Sequence, residues 1–306
     1  MPDMRRTEPA LTSVLDPAAF GRQGFGAMRL RDDAVSEAVG DPDRDPLAVV
    51  HAAPDAGVSM VDTADAYGNE ELVGRAIRSR RDEVVLASKF GLVRTEDVAG
   101  DFGVRADAAY VRQACEASLR RLGVDVIDLY YLHHRSDEVP IEETMGAMAD
   151  LVAQGKVRAL GLSNVTADDL RRAHAVHPVM ALQERWSVLD REIELELVST
   201  AIDLGTMIVA HSPHGHGLLH RTDASGSGIG PGLMTSLAEI AAAHDVTPGQ
   251  VALAWVQHRQ QVHGIPVVPL PGTTRVSHLR ANLAAAHVVL SRSELRRLDE
   301  PGIASG

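Results

Sequence analysis

Short apolar stretches rich in β-branched residues alternate along the chain with longer amphipathic stretches. Residues 24–30, 58–62, 84–90, 126–133, 157–163, 180–186, 207–212 and 267–271 are predicted strands. Apolar residues recur at helical spacing between them, at 107–122, 141–154, 167–174, 193–204 and 276–286. Strands that alternate with helices predict a parallel sheet with right-handed crossovers. Eight such units predict an α/β chain folded as a single (β/α)8 TIM barrel.

An open doubly wound sheet is the alternative fold, and it requires a glycine-rich phosphate turn after its first strand. No such turn follows residues 24–30. The glycine cluster of Gly226, Gly228 and Gly230 instead lies in a long loop, 214–231, after the seventh strand. That loop is either a lid over a binding site or simply flexible. We therefore expect one barrel domain over residues 1–306, with a loose N-terminal leader of about 20 residues.

Composition narrows the class of partner. The chain has 306 residues, 45% apolar and 24% charged, and contains no apolar run of about 18 residues that would span a bilayer. Its formal net charge of −12 disfavours nucleic acid as a partner. Cys115 is its only cysteine, which rules out an intrachain disulfide and fits a reducing compartment. We expect a cytoplasmic protein that acts on small molecules.

Ionisable residues stand at the ends of three consecutive predicted strands. Asp62 ends the second strand, Lys89 the third and His133 the fourth, and Tyr67 follows Asp62 by five residues. Taken singly, Asp62 could cap a helix, Lys89 could be a solvated charge, His133 a core histidine and Tyr67 a packing residue. The carboxyl ends of barrel strands meet at one mouth, where catalytic groups collect. Their joint placement favours an active site.

These residue types suit proton donation. A buried Asp beside a buried Lys satisfies both charges. A tyrosine has a pKa of about 10, so it acts as an acid near neutral pH only if a neighbouring cation stabilises the phenolate that it leaves. Lys89 can supply that cation. The sequence therefore predicts that Tyr67 is a general acid and that Lys89 and Asp62 tune it.

Several motifs resemble those of the aldo-keto reductase family in order and spacing. They include Asp-Thr-Ala-Asp-Ala-Tyr-Gly at 62–68, Ser-Lys-Phe at 88–90 and Asp-Leu-Tyr-Tyr-Leu-His at 128–133. The resemblance continues through 155–164, Gln183, 210–213 and 270–275 to Asn282, and covers about Gly24 to Leu298. The chain resembles long-chain bacterial members of the family, similar to the pyridoxal-reductase and channel β-subunit types. This resemblance implies NADPH-dependent reduction of an aldehyde or ketone, with His133 orienting the carbonyl, and no separate dinucleotide domain.

The resemblance also implies which residues hold the nicotinamide and the pyrophosphate. Ser163, Asn164 and Gln183 would hydrogen-bond the carboxamide, and Trp186 would stack on the ring, with core packing as its alternative role. The implied contacts at the pyrophosphate and nearby cofactor atoms are Met28, Ser212, His214 and Gly217. His211, His214, His216 and His220 also suggest a metal, but no ordered ligand spacing supports one, so none is expected.

The adenosine end of the cofactor is assigned to the segment after the last strand. By resemblance, the adenosine 2′-phosphate would lie at the start of a helix, which favours anions. The implied residues are Gly272, Thr273, Thr274, Arg275, His278 and Asn282. Two positions depart from the family pattern and weaken the implied binding of that phosphate. His278 stands where the family commonly has arginine, and Ala281 stands where it commonly has an acidic residue. We expect NADPH, with NADH as an alternative.

Two other functions fit parts of the pattern. Lys89 could form a Schiff base in a lyase or aldolase. Alternatively, the barrel could be a regulatory subunit that binds NADPH and turns over slowly. The loops that shape the substrate pocket are the least predictable part of a barrel, so the sequence selects no single carbonyl substrate and no oligomeric state.

Overall fold

The computed structural model describes residues 15–31, 41–94, 102–220 and 231–300. The strands, in chain order, are β1 Gly24–Gly26, β2 Met60–Asp62, β3 Val85–Phe90, β4 Leu92–Arg94, β5 Phe102–Val104, β6 Ile127–Leu132, β7 Val157–Ser163, β8 Val179–Arg185, β9 Met207–His211 and β10 Val267–Leu270. The helices are α1 Pro46–Asp55, α2 Glu70–Ile77, α3 Ala108–Leu122, α4 Ile141–Ala153, α5 Ala167–Val176, α6 Leu197–Leu204, α7 Pro231–Ala243, α8 Pro248–His263, α9 Val276–Ala284 and α10 Arg292–Asp299.

Eight of these strands form one parallel sheet in the order β1-β2-β3-β6-β7-β8-β9-β10. The sheet closes where Gly26 pairs with Gly272, and the Gly26 amide donates to the Pro271 carbonyl at 3.1 Å. Helices connect successive strands. The predicted (β/α)8 barrel is confirmed. Each of its strands except β1 begins and ends within two residues of the predicted bounds, and β1 ends at Gly26 instead of residue 30.

The core has two layers because side chains alternate along each strand. One layer fills the barrel interior and includes Met60, Leu129, Tyr131 and Val209, while the other lies between the strands and the helices. Gly161 makes room for Tyr131, since a Cβ there would lie 2.3 Å from the tyrosine ring. The interior is therefore packed, and polar side chains collect at the carboxyl ends of the strands.

The N-terminal segment differs from the expected loose leader. Residues Pro17–Phe20 form a 3-10 turn capped by Asp16, and Phe20 is fully buried in the interior layer. Burial of a large aromatic side chain lowers the free energy of the folded protein, which favours packing of Phe20 over a flexible leader. The predicted leader of about 20 residues is therefore too long, because residues 17–20 belong to the folded barrel. Residues 1–14 lie outside the described ranges.

Local sequence signals set most helix ends. Thr166 and Ser291 form capping boxes with Asp169 and Glu294 at the starts of α5 and α10. Pro54 is the penultimate residue of α1, which ends at Asp55, as expected of a residue that interrupts helices. Within the described ranges, no helix combines the length and hydropathy needed to cross a bilayer.

Three features differ from the sequence-based expectation. The predicted helix at 193–204 divides into a 3-10 turn at Glu192–Glu194 and α6. The β4–β5 hairpin was not predicted, because strands of three residues carry too little periodicity. In the predicted loop 214–231, a 3-10 turn occupies Gly215–His220. The glycine cluster at 226–230 lies outside the described residues.

Candidate active site

An ion pair lies at the floor of the barrel mouth. Lys89 on β3 donates from Nζ to the Asp62 carboxylate at the end of β2, and to the Thr63 carbonyl at 2.9 Å. The two charged side chains are 1% and 3% exposed. Burial alone would lower the pKa of Lys89, but Asp62 and the Tyr67 hydroxyl together raise it above its ordinary value. Lys89 is therefore a protonated cation held in a low-dielectric site.

Tyr67 lies directly beside this cation. It ends the 3-10 turn Asp65–Tyr67, and Gly68 terminates that turn in the left-handed region at φ 69°. Nζ of Lys89 is 5.0 Å from the centre of the Tyr67 ring. Burial raises the pKa of Tyr67, while the charge of Lys89 opposes the rise. The phenol is therefore protonated near neutral pH, with a cation in place to stabilise its anion.

His133 completes the group. Its amide, just after β6, donates to the Phe90 carbonyl at 2.8 Å, and its ring meets the Tyr67 ring edge-on at a centroid distance of 5.6 Å. Burial and the charge of Lys89 lower the pKa of His133 to about 2. The imidazole is therefore neutral and can donate one hydrogen bond. The structure thus brings together all four predicted catalytic residues, from β2, β3 and β6.

The residues predicted to hold the carboxamide lie next to this group. Gln183 on β8 donates from Nε2 to Oδ2 of Asp62 at 2.9 Å. Asn164 follows β7 in the left-handed region, at φ 52°, and its Nδ2 contacts the Ser163 hydroxyl at 3.1 Å and the His133 carbonyl at 2.9 Å. Amide and hydroxyl groups therefore converge beside Asp62.

Glu184 holds the turn that carries Asn164. Its Oε1 accepts the Val165 amide at 3.1 Å, and burial raises the pKa of Glu184 to about 7. No local sequence pattern marks Glu184 as part of the site. A backbone turn in a sparsely populated region needs such a partner to fix it.

Trp186 does not lie where a stacking residue would. It is fully buried, its Nε1 donates to Glu194 at 2.9 Å, and its ring lies against His263 of α8. Side chains alternate along β8, so Gln183 faces the interior and Trp186 faces the helices. The stacking role predicted for Trp186 is therefore corrected to core packing.

His211 faces the barrel interior at the mouth. From the sequence it was considered only as a possible metal ligand. It ends β9, two residues after Val209 of the interior layer, and its Nδ1 contacts the Ser212 hydroxyl at 3.1 Å. Burial and the charge of Lys89 lower the pKa of His211 to about 3. Alternate residues of a strand face the same side of the sheet. This rule, applied from Val209, predicts that the His211 ring faces the barrel mouth.

The loop after β9 has an unusual backbone. Ser212, His216 and Gly217 lie in the left-handed region, at φ 53°, 57° and 92°. His214 in this loop is only 6% exposed. Arg29, in the loop after β1, donates to the His216 carbonyl at 3.4 Å. Its neighbour Met28 is 47% exposed. This loop and the loop after β1 thus meet at the mouth.

The segment after β10 leads into α9. Thr273 is buried and its hydroxyl accepts the Arg275 amide at 3.1 Å, which turns the chain into the helix. A Cβ on Gly272 would lie 3.0 Å from the Gly26 carbonyl oxygen, so the backbone passes close to β1 there. Among the other predicted contacts, Asn282 is buried, and Thr274 and His278 are exposed.

A family model described as the Aldo/keto reductase family matches residues 23–302. The chain belongs to this family. The resemblance predicted from the motifs is therefore confirmed. A curated relative, "Probable aldo-keto reductase 1" from Glycine max, is 37% identical over 312 residues, which cover 94% of this chain and 88% of the relative.

Solved aldo-keto reductases share the fold. The glycerol dehydrogenase AKR11B4 from Gluconobacter oxydans superposes with a TM-score of 0.78 at 25% identity, over 91% of this chain and 90% of that one. An aldo/keto reductase from Klebsiella pneumoniae in complex with NADP and acetate gives a TM-score of 0.73 at 31% identity, with the same coverage. These barrels match the one described above in nearly their full length.

Proposed function

We propose that this aldo-keto reductase reduces the carbonyl of a small aldehyde or ketone to an alcohol with NADPH, and that Tyr67 donates the proton. The observation that carries the proposal is the Lys89 ammonium, fixed by Asp62 and lying beside the Tyr67 ring. The Klebsiella pneumoniae relatives were crystallised with NADP and with NADPH, which supports the choice of cofactor.

The donor set at the mouth fits a nicotinamide carboxamide. NADPH, when bound, supplies the hydride. The Ser163 hydroxyl and the side-chain amides of Asn164 and Gln183 would bind the carboxamide, and because Nε2 of Gln183 is committed to Asp62, its carbonyl oxygen is oriented as an acceptor. The left-handed backbone from Ser212 to Gly217 would face the pyrophosphate, since such turns expose amides to anions.

At the other end of the cofactor, we assign the adenosine 2′-phosphate to Thr273, Thr274 and Arg275. Two alcohols and a guanidinium at the start of a helix are a donor set suited to a phosphate. His278 and Asn282 on α9 are the further contacts that we assign to the adenosine end, with Met28 and His214 at the pyrophosphate.

Each catalytic side chain has a separate task in this proposal. The neutral His133 donates a hydrogen bond to the carbonyl oxygen and positions it beside Tyr67. Tyr67 then passes its proton to that oxygen, and Lys89 stabilises the phenolate that is left. Asp62 keeps Lys89 charged and in position. General acid catalysis of this kind contributes a factor of about 10²–10⁴ in rate.

The state of Lys89 does not favour Schiff-base chemistry. A lysine that attacks a carbonyl must be neutral, whereas Asp62 and Tyr67 raise the pKa of Lys89. Borohydride trapping of a carbonyl on Lys89 in the absence of NADPH would contradict this assignment. A regulatory subunit with little turnover would instead bind NADPH tightly and reduce no member of a carbonyl panel.

The deciding experiment compares the wild type with Tyr67→Phe. We expect NADPH oxidation with a panel of aldehydes and ketones to fall by about 10²-fold or more in the variant. The dissociation constant for NADPH should stay unchanged, because the phenol hydroxyl is assigned to the substrate. A variant that keeps normal turnover would overturn the role of Tyr67.

A further inference from the structure

Asp43 contacts the start of α9, the helix that packs beside α1 where the barrel closes. It lies just before α1, 234 residues from Ser277. Its backbone carbonyl accepts the Val276 amide at 2.9 Å, and its carboxylate accepts the Ser277 amide at 2.6 Å and the Ser277 hydroxyl at 2.9 Å. The Arg275 guanidinium lies 3.4 Å from the same carboxylate. One aspartate thus takes the first two amides of the helix and its nearest cation.

This carboxylate serves as the anion at the helix N-terminus. Arg275, the residue at the N-cap position, makes no capping hydrogen bond with its own side chain. The hydrogen bonds from Ser277 lower the pKa of Asp43, so it is ionised near neutral pH. Its side chain is nevertheless 32% exposed, so it can turn out to solvent. Asp43 and Arg275 are therefore both partly exposed, so an anion in solution can reach their contact.

We propose that Asp43 is a specificity-determining residue for the cofactor, because its carboxylate pairs with the Arg275 guanidinium that the adenosine 2′-phosphate of NADPH would use. This inference rests on the proposed function, which assigns the 2′-phosphate to the segment from Thr273 to Arg275. Because the Asp43 carboxylate lies 3.4 Å from the Arg275 guanidinium, a 2′-phosphate bound to that guanidinium is repelled by the carboxylate or displaces it. NADH carries a neutral 2′-hydroxyl and leaves Asp43 in place. Asp43 therefore narrows the preference for NADPH over NADH.

The test is the variant Asp43→Asn, which keeps an oxygen to accept the Ser277 amide but removes the charge. Dissociation constants for NADPH and NADH are measured by fluorescence quenching, without substrate. We expect the constant for NADPH to fall about three- to tenfold and that for NADH to change less than about twofold. Calorimetry with adenosine 2′,5′-bisphosphate and adenosine 5′-monophosphate should show the same split.

Asp41→Asn is the matched control. Asp41 lies in the same loop, pairs with Arg44 at 3.6 Å and accepts the Asp43 amide at 3.1 Å. Removing this charge should leave the ratio of the NADPH and NADH constants as in the wild type. An equal change in that ratio in both variants would show a general charge effect and overturn the proposal.

Two further outcomes would also overturn it. If Asp43→Asn binds NADPH more weakly and melts at a lower temperature, Asp43 is only a helix cap. If neither nucleotide binds the wild type, the inference and the proposed function both fail. A protein that shows the expected binding split but reduces no carbonyl would support the role of Asp43 and contradict the proposed function alone.

Discussion

Gln183 donates from Nε2 to Oδ2 of Asp62 at 2.9 Å, while Lys89 donates to the other oxygen of the same carboxylate. Burial raises the pKa of Asp62, but the Lys89 ammonium opposes this rise and favours the carboxylate form. A carboxylate only accepts hydrogen bonds, so the amide group of Gln183 must point its Nε2 toward it. One buried aspartate therefore fixes both the proposed catalytic cation and a side chain proposed to hold the nicotinamide. In the proposed mechanism, Asp62 therefore couples the chemical step to the position of the cofactor.

This arrangement predicts strong coupling between Asp62 and Lys89 in stability. Lys89→Met leaves an unpaired buried carboxylate and should lower the free energy of unfolding by about 3–5 kcal/mol. The double variant Asp62→Asn with Lys89→Met removes both charges and should be less destabilised than Lys89→Met alone. Urea unfolding of the wild type, Lys89→Met, Asp62→Asn and the double variant measures the cycle. Simple additivity of the two single changes would contradict the buried ion pair.

Glu184 predicts a pH-dependent stability. Its pKa is raised from 4.5 to about 7 in the folded protein, so its contribution is full below about pH 4.5 and is lost as the pH rises through about 7. Glu184→Gln keeps an oxygen for the Val165 amide and never ionises. The variant should match the wild type at about pH 5 and exceed its free energy of unfolding by about 1–3 kcal/mol at about pH 8.5. Parallel curves across this range would refute the shift.

His133 predicts the opposite dependence at acid pH. Its pKa is lowered from 6.5 to about 2 in the folded protein. Between these two values the unfolded chain binds a proton at His133 and the folded protein does not. Stability from this group is present above pH 6.5 and is lost as the pH falls. The variant His133→Gln lacks this group. Between about pH 7 and about pH 5, its free energy of unfolding should therefore fall by about 1–2 kcal/mol less than that of the wild type. Denaturant midpoints at the two pH values give the comparison, and an unchanged loss would speak against a neutral buried imidazole.

The burial of Trp186 predicts a structural role. Trp186→Phe removes the hydrogen bond to Glu194 and part of the packing, so it should cost about 1–3 kcal/mol of stability. The affinity for NADPH should not change. Trp255→Phe is the matched control, because Trp255 is equally buried and donates from Nε1 to Asp299 at 2.8 Å. A loss of NADPH affinity in the Trp186 variant alone would restore the stacking role.

Strand and helix periods along the chain were enough to predict the eight-stranded barrel, because short apolar strands alternate regularly with amphipathic helices. The predicted catalytic group followed from the same rule. Asp62, Lys89 and His133 end consecutive strands, and neighbouring parallel strands bring their carboxyl ends together. These features depend on local sequence and on one general property of barrels, so tertiary contacts did not need to be known.

Other features depended on contacts that no local pattern records. A step of one residue along β8 moves Trp186 from the mouth to the helix layer, and strand bounds read from sequence are less precise than that. Phe20 packs into the barrel from a segment that reads as a leader. Asp43 meets Ser277 across 234 residues of chain. The sequence by itself determined the barrel and the group around Tyr67, whereas the tertiary structure decided which face each strand residue presents and which distant carboxylate lies at the start of α9, because both are set by packing between segments far apart in the chain.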